Sequence, residues 1–279
     1  MQFRSYAQML EDVRLWRALS DVSEGIYVDV GAFHPIEHSV TAGFYEIGWR
    51  GVNIEPLPAK FSAFVKDRPR DSNLNIGVGP TDGSLPFYTI NPFGDVGSGQ
   101  LSTFDHDVAN THRREGFQVT EGMVPVRTLN SVFSDIKSRD VHFLKVDVEG
   151  FEEPVLAGLD LTLYRPWILV VEATYPNTNT PTHHEWEHHI TTHGGYIFVH
   201  FDGLNRYYVR PDKRSLAFAL AAPLELVDDF VSREQINFRL PHCFDQLNDL
   251  VSFLKSGLVS DTQRSAAKSI AKEIISAAS

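Results

Sequence analysis

Apolar residues at Tyr6, Met9, Leu10, Val13, Trp16 and Leu19 fall at helical spacing, which predicts an amphipathic helix packed on a sheet near the amino terminus. Further along, the pattern shortens to β-rich runs at residues 26–30, 51–54, 73–78, 142–146, 168–171, 196–201 and 207–209. Helical or irregular stretches separate the first five, as expected of a mostly parallel sheet covered on both faces. The last two, joined across DGLNR, read as a hairpin. The prediction is a Rossmann-like α/β fold: a mostly parallel seven-stranded sheet with an antiparallel C-terminal hairpin and helices on both faces. After Pro211 the strand signals fade, and residues 215–231 and 244–258 read as helices before an Ala- and Ser-rich tail. This divides the chain into a helical segment (1–24), an α/β domain (25–211) and a helical extension (212–279). The tail at 261–279 reads equally as a terminal helix, a homo-oligomer contact or a frayed end.

Composition narrows the function. With 279 residues, 42% of them hydrophobic, the chain has material for a sizeable core. A formal net charge of -11 argues against general nucleic-acid binding, which needs clustered Lys and Arg, and leaves small molecules or glycans as the expected substrates. The one cysteine, Cys243, excludes an internal disulfide framework and suits a reducing cytoplasm. Charged residues interrupt the first 19 positions, against a signal peptide, and no apolar run is long enough to span a bilayer.

In YVDVGAFHP a strand ends at Asp29 and Val30, and Gly31 supplies a turn through which backbone can approach a ligand. A dinucleotide fingerprint requires G-x-G-x-x-G, but Phe33 replaces the second glycine and the third is absent. That disfavours a nicotinamide-dependent oxidoreductase. S-adenosylmethionine carries no phosphate, so one glycine and a strand-end aspartate suffice to seat its amino-acid portion. Glu55 ends the next run, GVNIE, where a carboxylate can accept hydrogen bonds from both ribose hydroxyls.

HEWEH at 184–188 matches H-E-x-x-H, the zinc-hydrolase pattern. The third ligand is missing: Thr191 and Gly194 stand where the extended motif needs Gly and His, and His193 is one position off. A polar helix face with Trp186 and Ile190 turned inward is the simpler reading.

Taken in order, YVDVGAFHP, GFYEIGWRGVNIEP, RPRDSNLNIGVG, the LST at 101–103, VRTLNSV, FLKVDVEGFEEPVLAGL, RPWILVVEATYP and FDGLNRYYV resemble FkbM-type methyltransferases over roughly residues 25–209. The resemblance implies a class I methyltransferase fold, S-adenosylmethionine as donor, and O-methylation of a sugar or other hydroxylated metabolite. It assigns Asp29, Gly31, Ala32 and His34 to the donor loop, Glu55 to ribose, Ile76 and Gly77 to the neighbourhood of adenine, and Ser39 and Ser102 to further donor contacts. His34 and Pro35 depart from the family's usual pattern. A catalytically silent binding module of the same fold is the alternative from another class.

In FLKVDVEGFEE an apolar strand delivers Asp147 to the carboxyl edge of the sheet, with Glu149 two residues on, and Glu172 ends the next strand. Carboxylates there can act as general base, orient a histidine base, or, at Asp147 and Glu172, ligate a divalent cation such as Mg²⁺. Asp147 also suits a helix N-cap, and Lys145 suits either the reaction or a buried ion pair with one of these acids. Ligands in such sheets bind beyond the carboxyl ends of the strands. That nominates Tyr175, His183, His184, Trp186, Asp202 and Asn205 for the acceptor, with Asp202 and Asn205 equally suited to making the hairpin turn.

Overall fold

The computed structural model describes residues 3–91, 99–136, 140–224 and 230–232. Cys243, the expected helix at 244–258 and the tail at 261–279 lie outside them. The chain divides into two units, Met1–Arg4 with Phe230–Ser279, and Ser5–Asp229.

The strands and helices follow in chain order as β1 (Phe3–Ser5), α1 (Glu11–Leu19), β2 (Ile26–Val30), α2 (Ala42–Glu46), β3 (Arg50–Ile54), α3 (Pro58–Asp67) and β4 (Ser72–Leu74). Next come β5 (Gly77–Val78), β6 (Gly83–Asn91), α4 (His106–Arg114), β7 (Gln118–Arg127), α5 (Leu129–Ser134), β8 (Phe143–Val146) and α6 (Glu152–Ala157). The remainder are β9 (Ile168–Glu172), α7 (His183–His188), β10 (Ile197–Phe201), β11 (Asn205–Val209), α8 (Ala217–Ala221) and β12 (Phe230–Ser232). β1 pairs with β12 in a two-stranded sheet.

The large sheet has the order β10-β11-β9-β8-β2-β3-β4. β9, β8, β2, β3 and β4 run parallel, and β10 and β11 form the antiparallel hairpin. The expected mostly parallel seven-stranded fold is therefore observed. Alternation along each strand sorts its side chains between two covered faces. Val28, Val30, Leu144, Val146, Leu169 and Val171 join one core with Val132 and Phe133 of α5, Val155 and Leu156 of α6, and Trp186 of α7. On the other face Tyr27 stacks on Phe143 at 5.7 Å, and Phe44 of α2 lies 5.1 Å from Phe143. Period two then carries Asp29, Lys145 and Glu172 onto this second face at the carboxyl ends of three adjacent strands.

Three expectations change. The amino-terminal helix is only α1, because the buried Asp12 carboxylate accepts hydrogen bonds from the Tyr6 and Ala7 amides (2.7 and 3.2 Å) and the Ser5 hydroxyl (2.8 Å), which holds that segment extended. The run at 73–78 is two strands, β4 in the large sheet and β5 in a three-stranded sheet of order β5-β7-β6. Between them the Asn75 side-chain amide donates to the Glu55 and Pro56 carbonyls, both at 2.9 Å, and turns the chain from one sheet to the other. The helix expected from 215 is α8 at its described start and is interrupted at Ala222, which with ψ 141 before Pro223 leaves the helical region, while residues 225–229 of that span lie outside the described residues.

Gly31 closes β2 at φ 77, and a Cβ there would lie 1.7 Å from the Asp147 carbonyl oxygen. Both the left-handed turn and the backbone approach exclude a side chain. Gly31→Ala is expected to lower stability by about 3 kcal/mol or more, measured by urea unfolding.

Candidate active site

A cavity of about 360 Å³ opens at the carboxyl edge of β2, β3, β8 and β9. Asp29, Gly31, Ala32 and Ser39 line it from β2 and the segment that follows. The buried Asp29 accepts from the Thr41 hydroxyl at 3.1 Å, and Ser39 lies 3.2 Å from the same hydroxyl. Glu55, just after β3 on the other side of β2 from β8, also lines it. The Phe33 N–H donates to its Oε2 at 2.9 Å and the Leu57 N–H to its Oε1 at 2.7 Å, and each oxygen keeps a further lone pair for a ligand. Ile76, Gly77, Val78, Leu101 and Phe104 form an apolar wall suited to a flat heteroaromatic ring. Gly77 is required there, since a Cβ would fall 2.1 Å from the Phe104 ring. Ser102 also lines the cavity while its hydroxyl accepts from the Ile90 amide at 3.1 Å.

Beside Asp29 and Gly31, from β8, β9 and the turn after β8, stand Lys145, Asp147, Glu149 and Glu172. Lys145 donates to Asp147 at 2.6 Å, so the expected ion pair is present. Burial pulls the Lys145 pKa down, but Asp147, Asp29 and Glu11 outweigh it and raise it overall. Asp147, Glu149 and Glu172 each bring a carboxylate oxygen within 4.8 Å of the others. Burial, then the charge of Asp147, pushes Glu149 and Glu172 well above the usual carboxylate range. Among the described residues, the buried Oε2 of Glu172 has no hydrogen-bond partner. Asp147 is not a helix cap, for α6 starts at Glu152 with Phe151 at its N-cap. The turn between is tied instead by Glu152, which accepts from the Val148 and Gly150 amides at 3.1 and 3.3 Å, with Glu149 and Gly150 at φ 54 and 93.

Other expected residues sit elsewhere. His34 is not part of the cavity wall; its Nδ1 accepts from the Ile36 and Glu37 amides at 3.2 and 2.9 Å, closing its own turn. Trp186 is a core side chain beneath the sheet, because α7 turns its apolar positions inward. Asp202 makes the hairpin turn, accepting from the Leu204 and Asn205 amides at 2.9 and 2.7 Å. Asn205 is fully buried and donates to Glu11 at 3.1 Å. Tyr175 donates to Glu185 at 2.7 Å, and neither it nor His183 or His184 lines the cavity. What lines it after β9 is Thr174, Asn177, Thr178, Asn179 and Leu204; the polar run 177–179, between the nominated Tyr175 and His183, carries no motif that marks it in the sequence. The HEWEH pair does not organise a site: the convergent histidines among the described residues are His188, His189 and His193. No helix among the described residues is long and apolar enough to cross a membrane.

The sheet order and the cleft at its carboxyl edge are those of a doubly wound α/β protein, and comparison with known proteins gives the family. Residues 29–198, more than half of the chain, match the methyltransferase FkbM domain, and the chain belongs to the FkbM methyltransferase family. No curated protein matches it. A solved structure with similarity is methyltransferase FkbM from Methylobacillus flagellatus KT, at 14% identity and a TM-score of 0.38, over 67% of this chain and 44% of that one. The chain thus spans less than half of that protein's length.

Burial lifts Glu55 to about 7 against the pull of its two amide hydrogen bonds. The folded state therefore binds a proton more tightly than the unfolded chain does, and stability falls as pH rises from about 4.5 towards about 7. Glu55→Gln is expected to flatten this decline by up to about 1.4 kcal/mol per pH unit, read from unfolding curves across that range.

Proposed function

We propose that the chain transfers a methyl group from S-adenosylmethionine to a hydroxyl of a polar acceptor, most simply a sugar or glycan. The observation that carries this reading is one continuous cavity. It joins the Gly31–Glu55–Gly77 wall to the Asp147, Glu149 and Glu172 carboxylates and to the Thr174–Asn179 rim. When bound, S-adenosylmethionine supplies an electrophilic methyl on a sulfonium. Asp29, Gly31, Ala32 and Ser39 would face its amino-acid portion, Glu55 its ribose hydroxyls, and Ile76, Gly77 and Ser102 its adenine.

Methyl transfer in line mainly requires that acceptor oxygen, carbon and sulfur be aligned, with a base to take the proton. Asp147 is held by Lys145 beside the place of reaction, and the side-chain amides of Asn177 and Asn179 suit acceptor hydroxyls. Glu149 and Glu172, raised by burial and by the charge of Asp147, are stronger proton acceptors than ordinary carboxylates once deprotonated. The same three carboxylates fit a hard divalent cation such as Mg²⁺, which would lower the pKa of the acceptor hydroxyl; the unpartnered Glu172 oxygen favours this variant.

Calorimetry is expected to give one bound S-adenosylmethionine, and no binding by folded protein would leave a silent module. With labelled donor and a saccharide panel, Asp147→Asn is expected to lower transfer about 100-fold or more while the protein still folds. Wild-type turnover in that variant overturns the assignment, and dialysis against a chelator decides the cation. A second outcome concerns pH. The base acts when deprotonated, so kcat/KM should rise with pH along an acid limb lying above the ordinary carboxylate range of about 4, a limb that Glu172→Gln shifts or removes.

A further inference from the structure

The polar segment HHEWEHHITTH is not used by the cavity, yet it has a distinct backbone. After α7 the chain enters a π-helical turn, His189–His193, in which the Gly194 N–H donates to the His189 carbonyl at 3.0 Å. In a regular α-helix, residues five apart point about 140° from one another. The i→i+5 bonding of a π turn brings such residues towards one side, and these rare turns are frequent at functional sites. Here the turn gathers His188, His189 and His193. The ring of His188 lies 4.0 Å from that of His189 and 5.5 Å from that of His193, and His189 and His193 are 5.8 Å apart. One nitrogen from each lies within 4.8 Å of the others, and His189 Nε2 is also 3.3 Å from Glu153 Oε1 on α6.

We infer that His188, His189, His193 and Glu153 form a binding site for a borderline divalent transition metal ion, Zn²⁺ being the best match. Three imidazoles and a carboxylate are a suitable donor set for it. A tetrahedral zinc with bonds of about 2.0–2.1 Å needs its ligand atoms about 3.3 Å apart, so the three rings must close by up to about 1.5 Å and Glu153, now 3.3 Å from His189, must turn towards the other two, all side-chain adjustments. His184 is not among the convergent nitrogens; its side chain is mostly exposed and lies 3.8 Å from Glu185. The ligand set therefore shares only His188 with the H-E-x-x-H pattern, and the site clamps the π turn to α6 rather than serving hydrolysis. It is independent of the methyl-transfer cavity, whose walls include none of the four residues.

The test uses full-length protein without a histidine tag, dialysed against chelator and titrated with zinc chloride by calorimetry. One equivalent is expected to bind and to raise the melting temperature. His193→Ala and His188→Ala, at exposed positions, are expected to weaken it about tenfold or more, and His184→Ala to leave it unchanged. Cobalt substitution should give the visible absorption of a four-coordinate site in the wild type and lose it in His193→Ala. Binding that persists undiminished in a His188→Ala/His193→Ala double variant, or that is lost in His184→Ala, overturns the proposal. So does an equivalent abolished by Glu172→Gln alone, which would place the ion in the cavity.

Discussion

The Lys145 ammonium sits almost fully buried among Glu11, Asp29 and Asp147, with Glu149 and Glu172 near by. Much of the carboxyl edge depends on it. Several carboxylates withdrawn from water repel one another by kilocalories per pair at the effective dielectric of a protein, and each loses hydration as well. A cation in their midst offsets part of that cost, and its contact with Asp147 at 2.6 Å fixes where the positive charge sits. What remains is expressed as proton affinity: burial moves the titration of Glu11, Asp29, Glu149 and Glu172 upward despite the ammonium. The strand FLKV is thus both a core element and an electrostatic one, its charged side chain reaching the site through an otherwise apolar face.

The fold was legible where side-chain alternation and strand length agreed. In β2, β8 and β9 almost every side chain is buried, which is how a strand covered on both faces reads as a continuous apolar run. The antiparallel β6–β7 pair was invisible for the opposite reason. Much of β7 faces solvent, and Pro86 and Pro125, which lack a ladder donor, stand inside the two strands. The helix limits depended on tertiary hydrogen bonds, such as those of Asp12 to the Tyr6 and Ala7 amides, that no window of sequence displays.

The site divides in the same way. Residues that follow directly from a strand end, Asp29, Gly31, Glu55, Asp147 and Glu172, reach the cavity because the strand delivers them there. Beyond the strands, spacing ceases to inform. Trp186 looked like a sugar platform yet obeys the inward stripe of its helix, while the Asn and Thr side chains lining the cavity sit in a loop whose path is set by Asn177 at φ 55 and the Thr174–Pro181 bridge. Glu152 was overlooked because an acid in the first turn of a helix is ordinarily a surface residue, whereas here it ties the turn that carries Glu149.

The pairing of β2 with β8 also bears on how the molecule comes into being. The Ile26 amide and the His142 ring that meet at the start of this pair are 116 residues apart in the chain, so the central seam of the sheet closes one of the longest loops in the fold. Closing it costs chain entropy that local contacts do not return, and topologies rich in such closures assemble slowly. The Gly31–Asp147 approach lies at the far end of that seam. Neither half of the chain can present it alone, and a nascent polypeptide has no cleft until the strands on both sides of the long excursion have been synthesised and zipped together.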